Sequence, residues 1–417
     1  MTTPPIRLPS GVRDFLPRAA ARRRALASRV LEVFEAWGYS RIVTPMFEVA
    51  DVLERGLGHD ARAQAIRFVE PGTGEIVALR PDITPQIARV VATRLSEVQG
   101  PIRLCYEGAV TRFVGERGQR EILQAGVELI DEQEPIGDVE VLSVAHAALA
   151  ATGLSETRLD IGHVAPVRAL LGLAPDTDAR AHLAAAFAKK DRAGVRVAAK
   201  SLPANIAPFA EQLVTMWGPA EETIRRAEQL SWPSELIDVR TTLGVLGSVL
   251  VRFTDLTGAP ASTLSIDLGD VRGFDYYTGI TFAGYAGGAP EAVLRGGRYD
   301  QLIGRYGRPA RATGFAIDLE ALAQAQRTTG VQLPSGPVGV AVHGPGAASL
   351  ARALRSHGVR AVTSVDAPTA AWLRGAGLDA AVLTDSRELV RVDDVRRAVD
   401  LDPSALAKLL EENRCLS

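Results

Sequence analysis

Apolar and polar positions follow two periods along this chain, and the changes between them mark its elements. Leu264, Ile266 and Leu268 alternate with Ser265, Asp267 and Gly269, the period-2 pattern of a half-buried strand. A second strand is predicted at Ile280 to Tyr285, after the turn residues Thr278 and Gly279. Phe68-Val69 and Ile76 to Leu79 read as a hairpin around Pro71-Gly72-Thr73-Gly74. Further strands are expected at Ile42-Val43, Ile102 to Tyr106, Arg120 to Ile130 and Arg158 to Ile161, and Thr313 to Gln324 reads as a strand turning into a helix. Helical spacing governs other stretches. Leu26, Val30, Val33, Phe34 and Trp37 form one stripe of a helix from about Ala19, with Gly38 placed as its C′ residue. Ile87, Val90, Val91 and Leu95 form another stripe, and Pro85 fits a first helical turn. Gly137 to Ala151 is amphipathic.

The pattern divides the chain. From Val167 to Leu256 it is Ala- and Leu-rich, lacks alternation and is broken at Pro175, Pro203, Pro208, Pro219 and Pro233, as a helical insertion of about 167–256 would be. Pro334-Ser335-Gly336-Pro337 reads as a linker. Beyond it, segments at 338–342, 347–356, 359–362, 369–375 and 380–383 give a β-α-β-α-β run, with a last helix over 402–413. The expected domains are therefore 1–330 and 335–417.

Composition narrows the class only a little. Apolar residues make up 47% and charged residues 23% of 417, with a net charge of −2, as in ordinary globular proteins. Lys+Arg 47 against Asp+Glu 49 argues against a large basic face, and so against tRNA or another nucleic acid as a partner, without excluding a local patch. Cys105 and Cys415 are isolated, and the six histidines have no ligand spacing, so neither a metal nor a disulfide framework is expected. No apolar run reaches membrane length and no signal-peptide core is visible; a cytoplasmic location is expected.

Chemistry-bearing residues gather at a few points. Arg272, Asp275, Tyr276 and Tyr277 crowd a turn where a plain hairpin would carry small residues. Gly296-Gly297 precedes Arg298, Tyr299 and Asp300, and glycines in a strand permit close approach of backbone or ligand. Gln124 and Glu128 are four apart, hence on one face of a strand. They would line a polar pocket or form the wet side of an antiparallel sheet. Asp82 or Thr84 would cap the helix that follows. Arg22, Arg23, Arg24 and Arg29 read as a solvated helix face.

In this order, SGVRDFLP, WGYSRIVTPMFE, ALRPDITPQIAR, TRFVGERGQREILQAGVE, VRGFDYYTG, RGGRYDQL and GFAIDLEAL resemble the class II histidyl-tRNA synthetases from about Ser10 to Leu322. Several ordered motifs are far more specific than one. The resemblance implies an α+β fold: an antiparallel sheet of roughly six or seven strands flanked by helices, with a helical insertion, a dimer interface around Pro45 and a small C-terminal α/β domain like a reduced anticodon-binding domain. It also implies a histidine site. Arg272 matches the arginine that meets the carboxylate, Thr84 and Gln124 match groups around the ammonium, and Glu128 with Tyr277 matches the pair that holds the imidazole. Asp82 and Tyr276 complete the set. Asp82 stands where the synthetases have Glu, and Ile83 where they have Gly.

The nucleotide side departs from the synthetases. Arg112 matches the arginine on the α-phosphate, but Val114 replaces the glutamate near adenine and Ala321 the arginine on the γ-phosphate. Losing one such electrostatic group commonly costs about 10²–10³ in rate. Arg112 and Arg120 remain candidates for an anion. A chain that keeps the histidine side and lacks part of the ATP side is similar to the synthetase-like regulatory subunits of ATP phosphoribosyltransferase. SGVRDFLP, LRPDITPQIAR and LDIGH are also closer to those subunits than to working synthetases. That resemblance implies a non-catalytic subunit without a cofactor. Its partner would be the short-form catalytic subunit, within a hetero-octamer under histidine feedback control. An active histidyl-tRNA synthetase and a tRNA-binding sensor module are the alternatives.

Overall fold

The computed structural model describes residues 7–113, 118–273, 276–331 and 338–414. Val114, Asp275, the linker from Pro334 to Pro337 and Cys415 lie outside the described residues. The chain divides into two compact units, Met1–Arg13 with Leu26–Gln332 and Asp14–Ala25 with Leu333–Ser417.

The larger unit is built on a nine-stranded mixed sheet flanked by helices. Its spatial order is Ser40–Arg41, Ile102–Thr111, Glu121–Ile130, Ala312–Asp318, Leu294–Arg298, Ile280–Tyr285, Arg158–His163, Leu264–Asp267 and Trp217–Pro219. Most neighbours are antiparallel, but Ser40–Arg41 runs parallel to Ile102–Thr111, and Arg158–His163 parallel to Leu264–Asp267. This exceeds the six or seven antiparallel strands implied by the motifs. The extra edge strands Ser40–Arg41 and Trp217–Pro219 hold only two and three residues, too few to show an alternating pattern. Trp217–Pro219 arises inside the helical region, where the pattern predicts no strand. It follows helix Ala207–Thr215 and pairs with Leu264–Asp267.

One sheet face is covered by helices. Phe34, from the stripe of helix Pro17–Ala36, stacks edge to face on Phe315 at 5.7 Å. Leu149 of helix Ile136–Ala151 comes within reach of Gly284. The opposite face carries the cavity described below. Helix Thr84–Thr93 packs Ile87 and Val91 against Ile102, Leu104 and Tyr106. Side-chain capping does not start this helix as expected. Ile83 is the N-cap residue, and Asp82 only accepts the Thr84 N–H at 3.3 Å. Between Arg158–His163 and Leu264–Asp267 run helices Val164–Gly172, Thr177–Ala188, Arg192–Ala198, Ala207–Thr215, Ala220–Glu228 and Ile237–Thr257. Asp176 and Asp191 cap two of them through the Ala179 and Gly194 N–H groups.

A three-stranded sheet of Phe47–Val49, Ile76–Leu79 and Arg67–Val69 stands apart from the large one. Val43, Val69 and Ile76 on and beside it are 81%, 62% and 56% exposed. The smaller unit has a five-stranded sheet, ordered Arg360–Ser364, Gly339–His343, Ala380–Leu383, Glu388–Arg391 and Arg396–Ala398. The first three strands are parallel, the last two antiparallel. The last two lie in the charged run RELVRVDDVRR and show too little alternation to be expected as strands.

Candidate functional site

Sheet register builds the site. Residues directly opposite in neighbouring strands point to the same face. Gln124, Gly126 and Glu128 lie opposite Asp318, Ala316 and Gly314, and the last two of these lie opposite Arg295 and Gly297. Glycine and alanine hollow the middle of this face while Gln124 and Glu128 rise at its edge. Gly314 is required there, because a Cβ at that position would strike the Glu128 carboxylate and the Val127 carbonyl.

The resulting cavity has a volume of about 140 Å³. Asp82, Thr84, Gln124, Glu128, Tyr276, Tyr277 and Arg112 line it. Arg272 and Arg120 are not among its lining residues. Arg272 instead donates through Nε to Asp270 at 2.8 Å and through Nη1 to the Tyr285 hydroxyl at 3.4 Å. The guanidinium of Arg120 lies over the Phe113 ring at 5.5 Å, and its backbone N–H donates to the Gly11 carbonyl.

Glu128 is the electrostatic centre. It is 1% exposed, and its carboxylate accepts from the Thr84 hydroxyl at 2.6 Å, the Tyr106 hydroxyl at 3.4 Å and the Tyr299 hydroxyl. Burial pushes its pKa up to about 8, although the Thr84 and Tyr299 hydrogen bonds oppose the shift. Burial first, and then nearby carboxylates, also raise Tyr106, Tyr276, Tyr277 and Tyr299. All four phenols therefore keep their protons at neutral pH and remain donors. Tyr276 packs between Tyr277 at 5.1 Å and Tyr299 at 5.3 Å.

The Gln124 amide oxygen is buried without a hydrogen-bond partner among the described residues. A buried, unpaired acceptor costs about 1–3 kcal/mol, so the site favours a ligand that brings a donor. Beside it, a proton-bearing carboxyl amid phenols suits a ring whose nitrogens both donate and accept. The wet-face reading of Gln124 and Glu128 fails because both faces of Glu121–Ile130 are largely buried.

Several participants are not legible in the sequence. Tyr106 and Tyr299 reach Glu128 across 22 and 171 residues of chain. The alternation of Ile102, Leu104 and Tyr106 gives only their common face. Arg80, 5% exposed, donates to the Thr44, Pro45 and Ala109 carbonyls and so fixes the segment leading to Asp82 and Thr84. Ala321, which the resemblance aligns with the synthetases' γ-phosphate arginine, is 3% exposed in helix Leu319–Thr329. Glu320 before it is 4% exposed and pairs with Arg13 at 2.8 Å. Among the described residues, no cluster of three or more His, Cys, Asp or Glu side chains gathers as metal ligands do. No described helix is long and apolar enough to cross a membrane.

Comparison with known proteins agrees with this architecture. The histidyl-tRNA synthetase family matches residues 11–322. The ATP phosphoribosyltransferase regulatory subunit of Geobacter sulfurreducens is 40% identical over 328 residues, covering 76% of this chain and 72% of that protein. The regulatory subunit of Syntrophotalea carbinolica is 38% identical over 371 residues, covering 86% and 85%. A crystal structure described as an ATP phosphoribosyltransferase regulatory subunit/histidyl-tRNA synthetase from Bacillus halodurans superposes with a TM-score of 0.77 at 28% identity, over 90% of this chain and 97% of that one. The histidyl-tRNA synthetase of Nostoc shares the fold, with a TM-score of 0.81 at 19% identity over 99% of this chain and 100% of that one. The chain belongs to the ATP phosphoribosyltransferase regulatory subunits, a family built on the histidyl-tRNA synthetase domain.

Proposed function

We propose that this protein is a non-catalytic regulatory subunit that short-form ATP phosphoribosyltransferase needs for activity, and that it carries histidine feedback control of the first step of histidine biosynthesis. Histidine is the ligand of the cavity in this reading. Its imidazole meets Glu128 and Tyr277, and its ammonium meets Thr84 and Gln124. Arg272 reaches the carboxylate from beyond the cavity wall, while Asp82 and Tyr276 close the site. The observation that carries the reading is the orphaned Gln124 oxygen beside a buried Glu128, in a chain whose γ-phosphate arginine is an alanine. Feedback then needs histidine to bind two states of the assembly with different affinity, and a coupling of about 1–3 kcal/mol suffices.

The assembly is a hetero-octamer in the cytoplasm, in which this chain dimerises with itself. The exposed apolar residues around the three-stranded sheet support that self-contact, because patches of this kind mark protein interfaces. Arg112, which lines the cavity, and Arg120 stand as an anion site.

The deciding experiment mixes the purified chain with a short-form catalytic subunit and follows phosphoribosyl transfer with and without histidine. The expected result is little turnover by either protein alone, turnover by the mixture, and inhibition by histidine that Glu128→Ala abolishes. Histidine-dependent pyrophosphate exchange by this chain alone would establish a synthetase instead.

A further inference from the structure

The helical insertion grips the strand that leads to Arg272 through one side chain and through its own backbone. Lys190 follows helix Thr177–Ala188. Its ammonium contacts the Asp267 carboxylate at 2.6 and 2.7 Å and donates to the Gly269 carbonyl at 2.8 Å. The insertion's backbone closes on the same segment. Leu268 N–H donates to the Met216 carbonyl at 3.0 Å, and Trp217 pairs with Asp267. Gly269 touches helix Ala207–Thr215 so closely that a Cβ would sit 2.8 Å from the Leu213 carbonyl oxygen. One residue on, Asp270 is 3% exposed and takes the backbone N–H and Nε of Arg272 on one oxygen and the Thr281 hydroxyl on the other.

This network stands on the cavity's own face of the sheet. Thr281 lies opposite Gly297, and Gly297 lies opposite Gly314 in the cavity wall. On the other side Thr281 lies opposite Gly162, which pairs with Asp267. Two carboxylates, Asp267 and Asp270, thus compete for the cations beside them. With Lys190 holding Asp267, Arg272 is left to the Asp270 carboxylate and the Tyr285 hydroxyl, and its Nη2 makes no hydrogen bond among the described residues.

We propose that Lys190 is a positioning residue for Arg272. By occupying Asp267 and Gly269 it leaves the guanidinium on Asp270 and Tyr285 with Nη2 available to a ligand carboxylate, and it makes the helical insertion part of the machinery that reads an amino-acid ligand. The proposal rests on histidine occupying the cavity with its carboxylate at Arg272. If Lys190 is removed, Asp267 is freed to draw the guanidinium away from the ligand.

The test compares two ligands by titration calorimetry on the full chain: histidine, and histamine, which has the imidazole and ammonium but no carboxylate. Lys190→Met is expected to weaken histidine about tenfold while histamine binds as to the wild type, and Lys190→Arg is expected to restore most of the affinity. In an Arg272→Ala background, Lys190→Met should add nothing further. Histamine binding is the folding control, since a collapsed variant loses both ligands. Equal losses for histidine and histamine in a variant with wild-type circular dichroism would overturn the proposal and assign Lys190 to stability alone, as would an unchanged histidine affinity. A wild-type chain that binds neither ligand would overturn the histidine reading itself, a result distinguishable from the others.

Discussion

At the scale of single residues, the chemistry of Glu128 and Gln124 governs the cavity. Glu128 carries a pKa of about 8 in the folded chain because burial disfavours its charge. Unfolded, it titrates near the usual 4.3 or so. Below both values it is neutral in either state and costs nothing. As pH rises between them the unfolded chain gives up a proton that the folded chain keeps, so stability falls until pH passes about 8. Urea unfolding at pH 5, 7 and 9 should therefore show the wild type losing stability relative to Glu128→Gln, by up to about 1.4 kcal/mol per pH unit for one linked proton. Parallel profiles for the two proteins would mean that the carboxyl is already ionised. Gln124→Leu makes the opposite kind of change. It removes an unpaired buried acceptor, so the unliganded protein should be at least as stable, while histidine affinity drops about tenfold or more. Thermal shift with and without histidine measures both.

At the scale of elements, the strand Leu294–Arg298 joins stability to the site. Arg298 is 1% exposed and Asp138, in helix Ile136–Ala151, is 0% exposed. Three contacts of 2.9 to 3.1 Å pair them. Removing one partner of a buried ion pair leaves an uncompensated charge, at about 3–5 kcal/mol. Asp300 still pairs with Arg298 Nη1 at 3.0 Å, so Asp138→Ala should lower the unfolding free energy by no more than that amount, read from the denaturation midpoint. It should also weaken histidine, because the residue after Arg298 is Tyr299, whose hydroxyl meets Glu128. Loss of stability with unchanged affinity would separate the pair from the site. The strands and helices themselves were legible mostly where a period had room to repeat, although Ile102–Thr111 runs five residues past the Tyr106 expected as its end. Glu121–Ile130, Ile280–Tyr285 and Thr84–Thr93 stand within a residue or two of expectation. Trp217–Pro219 and the charged strands at 388–391 and 396–398 were not legible, since they are short or polar and repeat no pattern.

At the scale of the whole molecule, the proposed self-association is assigned to the exposed apolar residues around the small three-stranded sheet. Val69→Glu combined with Ile76→Glu changes residues that are 62% and 56% exposed but directly paired across the strands, so the fold should lose about 0.5 kcal/mol per site plus up to about 1 kcal/mol for the two like charges placed opposite each other. Sedimentation should nevertheless show dimer converting to monomer at micromolar concentration. If the variant remains dimeric, the contact lies elsewhere.

The sequence alone determined the order of the longer, periodic elements, the class II motifs and the aliphatic residues at Val114 and Ala321. It did so because periodicity and motif spacing are local properties, carried by residues a few positions apart. Tertiary structure decided which groups share a dielectric environment. Glu128 meets Thr84, Tyr106 and Tyr299 across 44, 22 and 171 positions, Arg13 meets Glu320 across 307, and Lys190 meets Asp267 across 77. Those partners follow from sheet register and helix packing, and a buried charge takes its character from the atoms around it, not from its neighbours in the chain.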